Sequence, residues 1–154
     1  MIAVLHMMGD RRAHVYRERA AAFAFHAERA IAAERSGIAP NLLAAVAGKE
    51  SSWRWEWKGA IIEGQAGDLG YMQVTPETAA ELCPGLDMRR PVDNIRCGLR
   101  KLAAVERECG GPPANWLGRY NGQKCGPSCY ADRVLAIVAR AEPKTLADIT
   151  TGAP

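Results

Sequence analysis

Apolar positions along the N-terminal third recur at helical steps. Tyr16, Ala20, Phe23, Ala27 and Ile31 follow one another at intervals of four, three, four and four, which predicts one long helix over about 11–35 with a single apolar stripe. Ser36-Gly37 ends it. Pro40 suits a first helical turn, and a second helix is expected to run to about Ser51. Leu43, Val46, Ala47 and Glu50 stand at i, i+3, i+4 and i+7 on one face of it. The carboxylate of Glu50 therefore shares a face with core residues, although a solvated Glu at a helix end is the plainer alternative.

From Trp53 to Leu69 the pattern turns irregular, with glycines at 59, 64 and 67. Trp53, Trp55 and Trp57 alternate with charged residues, and that period of two suits an extended chain, so a long loop with at most a short β-hairpin is expected over 53–69. Thr75-Pro76 opens a short helix that Cys83-Pro84-Gly85 closes. Val92, Ile95, Leu99 and Leu102 predict a helix over about 91–109, stopped by Gly110-Gly111-Pro112-Pro113. A brief helix follows over 115–120, then a turn-rich loop over 122–128. Tyr130, Val134, Ile137 and Val138 mark a last helix to about Ala141. Internal repeats and low-complexity blocks are absent from the sequence. The expectation is one mainly α domain over 26–141, preceded by an accessory helical region over 1–25 and followed by a flexible tail over 142–154.

Composition narrows the class. The chain has 154 residues, enough for one domain with its own core, and 48% hydrophobic residues, which excludes a disordered chain. A net charge of +3 is a weak attraction to anionic polymers. The arginines are scattered without a basic stripe or a recognised motif, so a nucleic-acid partner is not expected. No apolar run reaches the roughly 20 residues of a membrane span. The start, MIAVLHMMGDRR, lacks a basic leading segment and does not read as a signal peptide.

The five cysteines, at 83, 97, 109, 125 and 129, form no CxxC pair, and the three histidines lie far from them, so no metal site is expected. Buried free thiols and disulfides both remain open. Cys97 and Cys109 share a helix about 18 Å apart at 1.5 Å per residue and cannot pair. Cys83–Cys97 and Cys125–Cys129 are the candidate pairs, with Cys109 left over.

Four short motifs occur in one order. They are Glu50-Ser51 closing a helix, Gly70-Tyr71-Met72-Gln73 before a Thr-Pro helix start, Asn94-Ile95, and Tyr120-Asn121, with Tyr130 opening the last helix. Together, over about residues 26–141, they resemble a lytic transglycosylase catalytic domain of the soluble type, within the lysozyme superfamily. Tyr71 departs from the leucine common at that position and would add a hydroxyl near the groove. The resemblance implies a lysozyme-like single domain that needs no cofactor and acts on peptidoglycan at the bacterial cell wall. It implies cleavage of the β-1,4 bond between N-acetylmuramic acid and N-acetylglucosamine, closing a 1,6-anhydro ring without water. A monomer is expected, and the closest motif forms resemble domains carried by phage particles or secretion machines.

The same resemblance assigns roles residue by residue. Glu50 would be the single general acid and base, so burial should raise its pKa. Ser51 and Gln73 would supply polar groups near the scissile sugars, the Met72 backbone would line the groove, and Gly70 would allow close approach. Tyr120 would hydrogen-bond Glu50, Asn121 would support the turn, and Tyr130 would be a weaker substrate-side candidate or a core tyrosine. Trp53 would pack beside Glu50. Of Trp55 and Trp57, one would pack and the other meet sugar.

Most glycosidases use two carboxylates, about 5–5.5 Å apart for a nucleophile or about 6.5–9.5 Å apart to fit a water. Asp68, Glu63 and Glu56 are the candidates for a second one here. If one faced Glu50, a goose-type muramidase using water would be the alternative. A non-catalytic peptidoglycan-binding part of a phage particle or secretion apparatus is a further one.

Overall fold

The computed structural model describes residues 11–141. The accessory region before Arg11 and the tail over 142–154 lie outside the described residues. Among the described residues the helices are α1 (Arg11–Glu34), α2 (Pro40–Ser51), α3 (Pro76–Leu82), α4 (Pro91–Cys109), α5 (Pro113–Tyr120) and α6 (Cys129–Ala141). A two-stranded hairpin, β1 (Glu56–Trp57) with β2 (Ala60–Ile61), is the β-structure, paired antiparallel with Glu56 opposite Ile61. This is the mainly α architecture with one short hairpin that the periodicity predicts. Lys58 and Gly59 turn the hairpin with φ of 53° and 81°, the doubly positive pattern that matches strand twist.

The helix patterns have physical counterparts in the core. Leu42 to Ala47 of α2 are buried all round the helix, so α2 is the central rod rather than a surface helix. α4 presents Ile95, Leu99, Leu102 and Val105 inward, and α1, α3 and α5 pack against it. α6 packs on α2 and α5. α1 passes residue 25 without a break, and Phe23, Ala27 and Ala30 already belong to the core. Its C-terminal end is tied to α4 by Glu34. That carboxylate accepts from Arg96 Nε at 2.7 Å and from Arg100 Nε and Nη2 at 2.8 and 3.0 Å. No described helix is long and apolar enough to cross a membrane.

Two disulfides brace α4. Cys83–Cys97, one of the two candidate pairs, joins the end of α3 to its middle, with Cα atoms 5.6 Å apart. The second differs from the expectation: Cys125 pairs with Cys109, at 5.5 Å between Cα atoms, and not with Cys129. Cys109 is the last residue of α4. After the Gly110–Pro113 turn, α5 leads away and the loop beyond it returns to that helix end, where Gly126 N donates to Asn115 O at 2.6 Å. Cys129 opens α6 as an exposed free thiol. Titration of the denatured, unreduced protein should therefore find one thiol. Replacing Cys83 and Cys97 by serine frees a loop of 14 residues' separation and should cost about 3 kcal/mol in chemical denaturation.

Candidate active site

The segment Leu69–Val74 is a tight turn held from three sides. Leu69 and Val74 exchange both backbone hydrogen bonds, at 3.0 and 3.1 Å, and Gly70 turns the chain with φ of 69°. A side chain at Gly70 would meet the Trp55 ring at 2.5 Å and Asn94 at 3.0 Å, so the close approach here is to the protein's own loop. Asn94, fully buried in α4, accepts from Met72 N at 3.0 Å and donates to Leu69 O at 2.9 Å. Tyr120 donates to Met72 O at 2.8 Å. Ser51 reaches the same turn from α2, its hydroxyl 3.0 Å from both Tyr71 O and Ala47 O. The Met72 side chain lies on Gly98 of α4, where an added Cβ would stand 2.6 Å from Met72 Cγ.

Beside this turn opens a cleft of about 520 Å³, within the size range of ligand sites. Glu50 stands in its wall with Asp68, Gln73, Tyr120 and Asn121. Thr75, Thr78 and Glu81 of the α3 segment, and Lys101, Glu108 and Arg119, complete its polar lining. Glu50 accepts a 2.5 Å hydrogen bond from the hydroxyl of Tyr130. The Tyr130 ring carries Lys49 Nζ at 5.6 Å, and the Tyr120 ring carries Lys101 Nζ at 4.4 Å, both within cation–π range. Two lysine-on-tyrosine pairs thus frame one carboxyl.

Burial raises the Glu50 carboxyl above the ordinary carboxylate range. The Tyr130 hydrogen bond, Lys49 and Lys101 pull it back down, and Asp68 adds a small upward push. The same burial lowers the Lys101 ammonium, which Glu50 and Asp68 partly restore. Burial and the neighbouring Glu50 push the Tyr120 and Tyr130 hydroxyls upward, so both remain donors through the ordinary pH range.

The two tyrosines exchange the expected roles. Tyr130, not Tyr120, holds Glu50, because α6 runs back along α2 and brings its first turn to the end of that helix, whereas Tyr120 ends α5 against the Met72 turn. Gln73 and Asn121 line the cleft as expected, and Gln73 is held by its own side chain donating to Gly70 O at 2.9 Å. Ser51, Gly70, Tyr71 and Met72 are buried behind the cleft wall and support it. Tyr71, expected to add a hydroxyl near the groove, is 2% exposed and packs edge-on to Phe23 with centroids 5.2 Å apart; burial pushes its hydroxyl up to about 12.

Of the three candidate second carboxylates, Asp68 shares the cleft with Glu50. Glu56 lies on β1 and Glu63 beside the Leu69 bridge, and neither lines it.

The tryptophans also divide. Trp53 donates its indole N–H to Ala44 O at 2.8 Å and covers Gly48. Gly48 and Glu50 differ by two residues, about 200° around the helix, so Trp53 packs away from Glu50 rather than beside it. Trp55 packs on Tyr71 at 5.3 Å, and Trp57 is 56% exposed at the hairpin under Arg54. The aromatic side chain that bonds Glu50 is therefore a tyrosine, Tyr130. Lys101 and Arg119 were not singled out by sequence. Their spacing to the motifs carries no signal, since α4 and α5 meet the cleft through packing.

Removing the Tyr130 hydroxyl isolates its effect on Glu50. That hydrogen bond lowers the Glu50 pKa, so in Tyr130→Phe the pKa rises further and the protonated form persists to higher pH. The alkaline limb of a kcat/KM–pH profile should move to higher pH, with the maximum rate reduced roughly tenfold as the carboxyl loses its orientation. An unmoved limb would separate Tyr130 from the titrating group.

Neither the curated proteins nor the solved structures yield a match to this chain. The family model described as the transglycosylase SLT domain does match, over residues 29–139. That span takes in Glu50, the Gly70–Gln73 turn, Asn94, Tyr120 and Tyr130, together with the last quarter of α1, all of α2 to α5 and most of α6. The chain, a mainly α lysozyme-like domain built around these residues, belongs to the transglycosylase SLT domain family.

Proposed function

We propose that this domain is a peptidoglycan lytic transglycosylase in which Glu50 serves as both acid and base. Family membership supports action on peptidoglycan. The observation that carries the finer reading is a cleft carboxyl whose burial favours the protonated form while Tyr130 fixes its orientation. Glu50 gives its proton to the oxygen leaving C1 of N-acetylmuramic acid, and the C1–O bond breaks. The substrate's own N-acetyl group stabilises the cationic carbon. The Glu50 carboxylate then takes the proton of the C6 hydroxyl as O6 bonds to C1, which returns the acid to its starting form. No water is consumed. Lys101 and Lys49 ease the moment at which Glu50 is charged, because both are positive beside it. The two disulfides suit the oxidising surroundings of a cell wall outside the cytoplasm.

Asp68 favours a second reading, since it lines the same cleft as Glu50: with a water between them, the pair would hydrolyse the bond as goose-type muramidases do. Mass spectrometry of soluble fragments from purified peptidoglycan separates the two. Fragments lacking one water and without a reducing end are the expected product. Reducing fragments carrying the full water would replace the transglycosylase by the hydrolase, and Asp68→Asn would then abolish their release.

A further inference from the structure

α4 carries two adjacent stripes with different surroundings. Lys101, Ala104, Val105 and Glu108 face the cleft. Arg100, Ala103, Ala104 and Arg107, one residue earlier at each step, face a second pocket of about 420 Å³. Ala104 and, from the end of α3, Leu82 line both, so the two cavities adjoin across a low apolar ridge. The end of α1 closes the far side with Glu34, Arg35 and Ser36.

The charge of this pocket is one-sided. Arg100 is occupied: it grips Glu34 and donates to Leu82 O at 3.3 Å, which fixes the pocket wall. Arg35 and Arg107 are exposed and make no ion pair among the described residues. Three arginines thus face one carboxylate, itself already shared with Arg96. Small residues at 103 and 104 leave the floor open, and guanidinium forks match a planar carboxylate better than any other side chain does.

We propose that this pocket binds free carboxylates of the peptide carried by the muramic acid residues while the sugars occupy the adjoining cleft. The proposal rests on the peptidoglycan reading above. A glycan lying past Leu82 and Ala104 has its peptide branch as the anionic group that can cross the ridge. Arg35 and Arg107 receive that branch, and Arg100 holds the wall they work from. The domain then distinguishes glycan strands that bear peptide from strands that have lost it.

The test compares cleavage of peptide-bearing glycan strands with the same strands stripped of peptide by an amidase. Calorimetric titration of a free acidic wall peptide into the Glu50→Gln protein accompanies it. The wild type should favour the peptide-bearing strands about tenfold in kcat/KM, and Arg35→Gln/Arg107→Gln should bring that ratio close to one and abolish peptide binding. An unchanged melting temperature would tie the loss to the pocket, and Arg107→Lys should lose part of the preference.

Equal cleavage of both strands by the wild type, or peptide binding that survives the double substitution, would overturn the proposal. So would inorganic phosphate binding more tightly than the peptide, which would assign the pocket to a phosphate-bearing polymer. If no strand is cut at all, the catalytic reading falls, and the titration still decides the pocket on its own.

Discussion

Glu50→Gln should reduce the release of soluble fragments from peptidoglycan by on the order of a thousandfold while leaving the helical circular dichroism unchanged. Glutamine keeps the volume and can still accept from Tyr130, but it has no proton to give and no carboxylate to take one back. Both halves of the reaction therefore fail together. The sign of the pKa shift supplies a second readout. The folded state raises the Glu50 pKa above that of the unfolded chain, so the native protein binds the proton more tightly. The stability that this protonation contributes is complete below the unfolded pKa near 4.5 and is lost as pH rises through the folded value. Above the folded value the wild type holds a charge that burial disfavours, and Glu50→Gln removes it. The variant should melt no lower than the wild type at pH 8, and its advantage should shrink on going to pH 4. A variant that keeps a large share of turnover would end the role assigned to Glu50.

Asn94→Leu should be the most damaging substitution away from Glu50. Asn94 is fully buried, and its amide satisfies both Met72 N–H and Leu69 C=O within the turn that forms the cleft wall. Leucine has similar bulk but leaves the buried Met72 N–H without a partner, worth about 1–3 kcal/mol. Leu69 C=O loses one of its two hydrogen bonds, a further loss of about 1 kcal/mol, and keeps the one from Val74 N–H. A loss of about 3 kcal/mol in chemical denaturation is expected, together with a melting temperature lower by roughly 10 °C. The same turn carries Gln73 into the cleft and receives Tyr120, so activity should fall even well below the melting transition. A leucine variant as stable and as active as the wild type would mean that the turn holds its shape without the α4 clamp.

The helices were legible because their causes are local. Thr75-Pro76 starts α3 by the Thr75 side chain accepting from Thr78 N, and the glycines after Cys109 stop α4, in both cases within a few residues. The hairpin was legible in kind because alternating tryptophans lead into it, a period of two that suits an extended chain, whereas the positive φ of both Lys58 and Gly59 at its turn came from the structure. The i, i+3, i+4, i+7 spacing put Glu50 on a face shared with core residues, and the other motifs in order weighed against a solvated helix end. Order along the chain, with each motif on a helix end or a turn, was also enough to identify the family.

What surrounds each of those residues was decided in three dimensions. Tyr130 and Glu50 lie 80 residues apart, and Tyr120 and Met72 lie 48 apart, so which tyrosine meets which partner depends on how α6 and α5 pack against α2 and α4. Periodicity states which face of a helix is apolar, and it says nothing about the neighbour that face meets. Cys109 shows the same division. As a helix-end residue it was excluded from one partner by distance along α4, yet its true partner, Cys125, arrives with a loop whose path is set by α5. The sequence by itself determined the mainly α chain, the family and the acid at the end of α2. The tertiary structure decided that tyrosines and lysines frame that acid, that Ser51 and Tyr71 stand behind the cleft wall, and that α4 turns a second, arginine-lined stripe to a pocket of its own, because each of these is a contact between elements that only packing brings together.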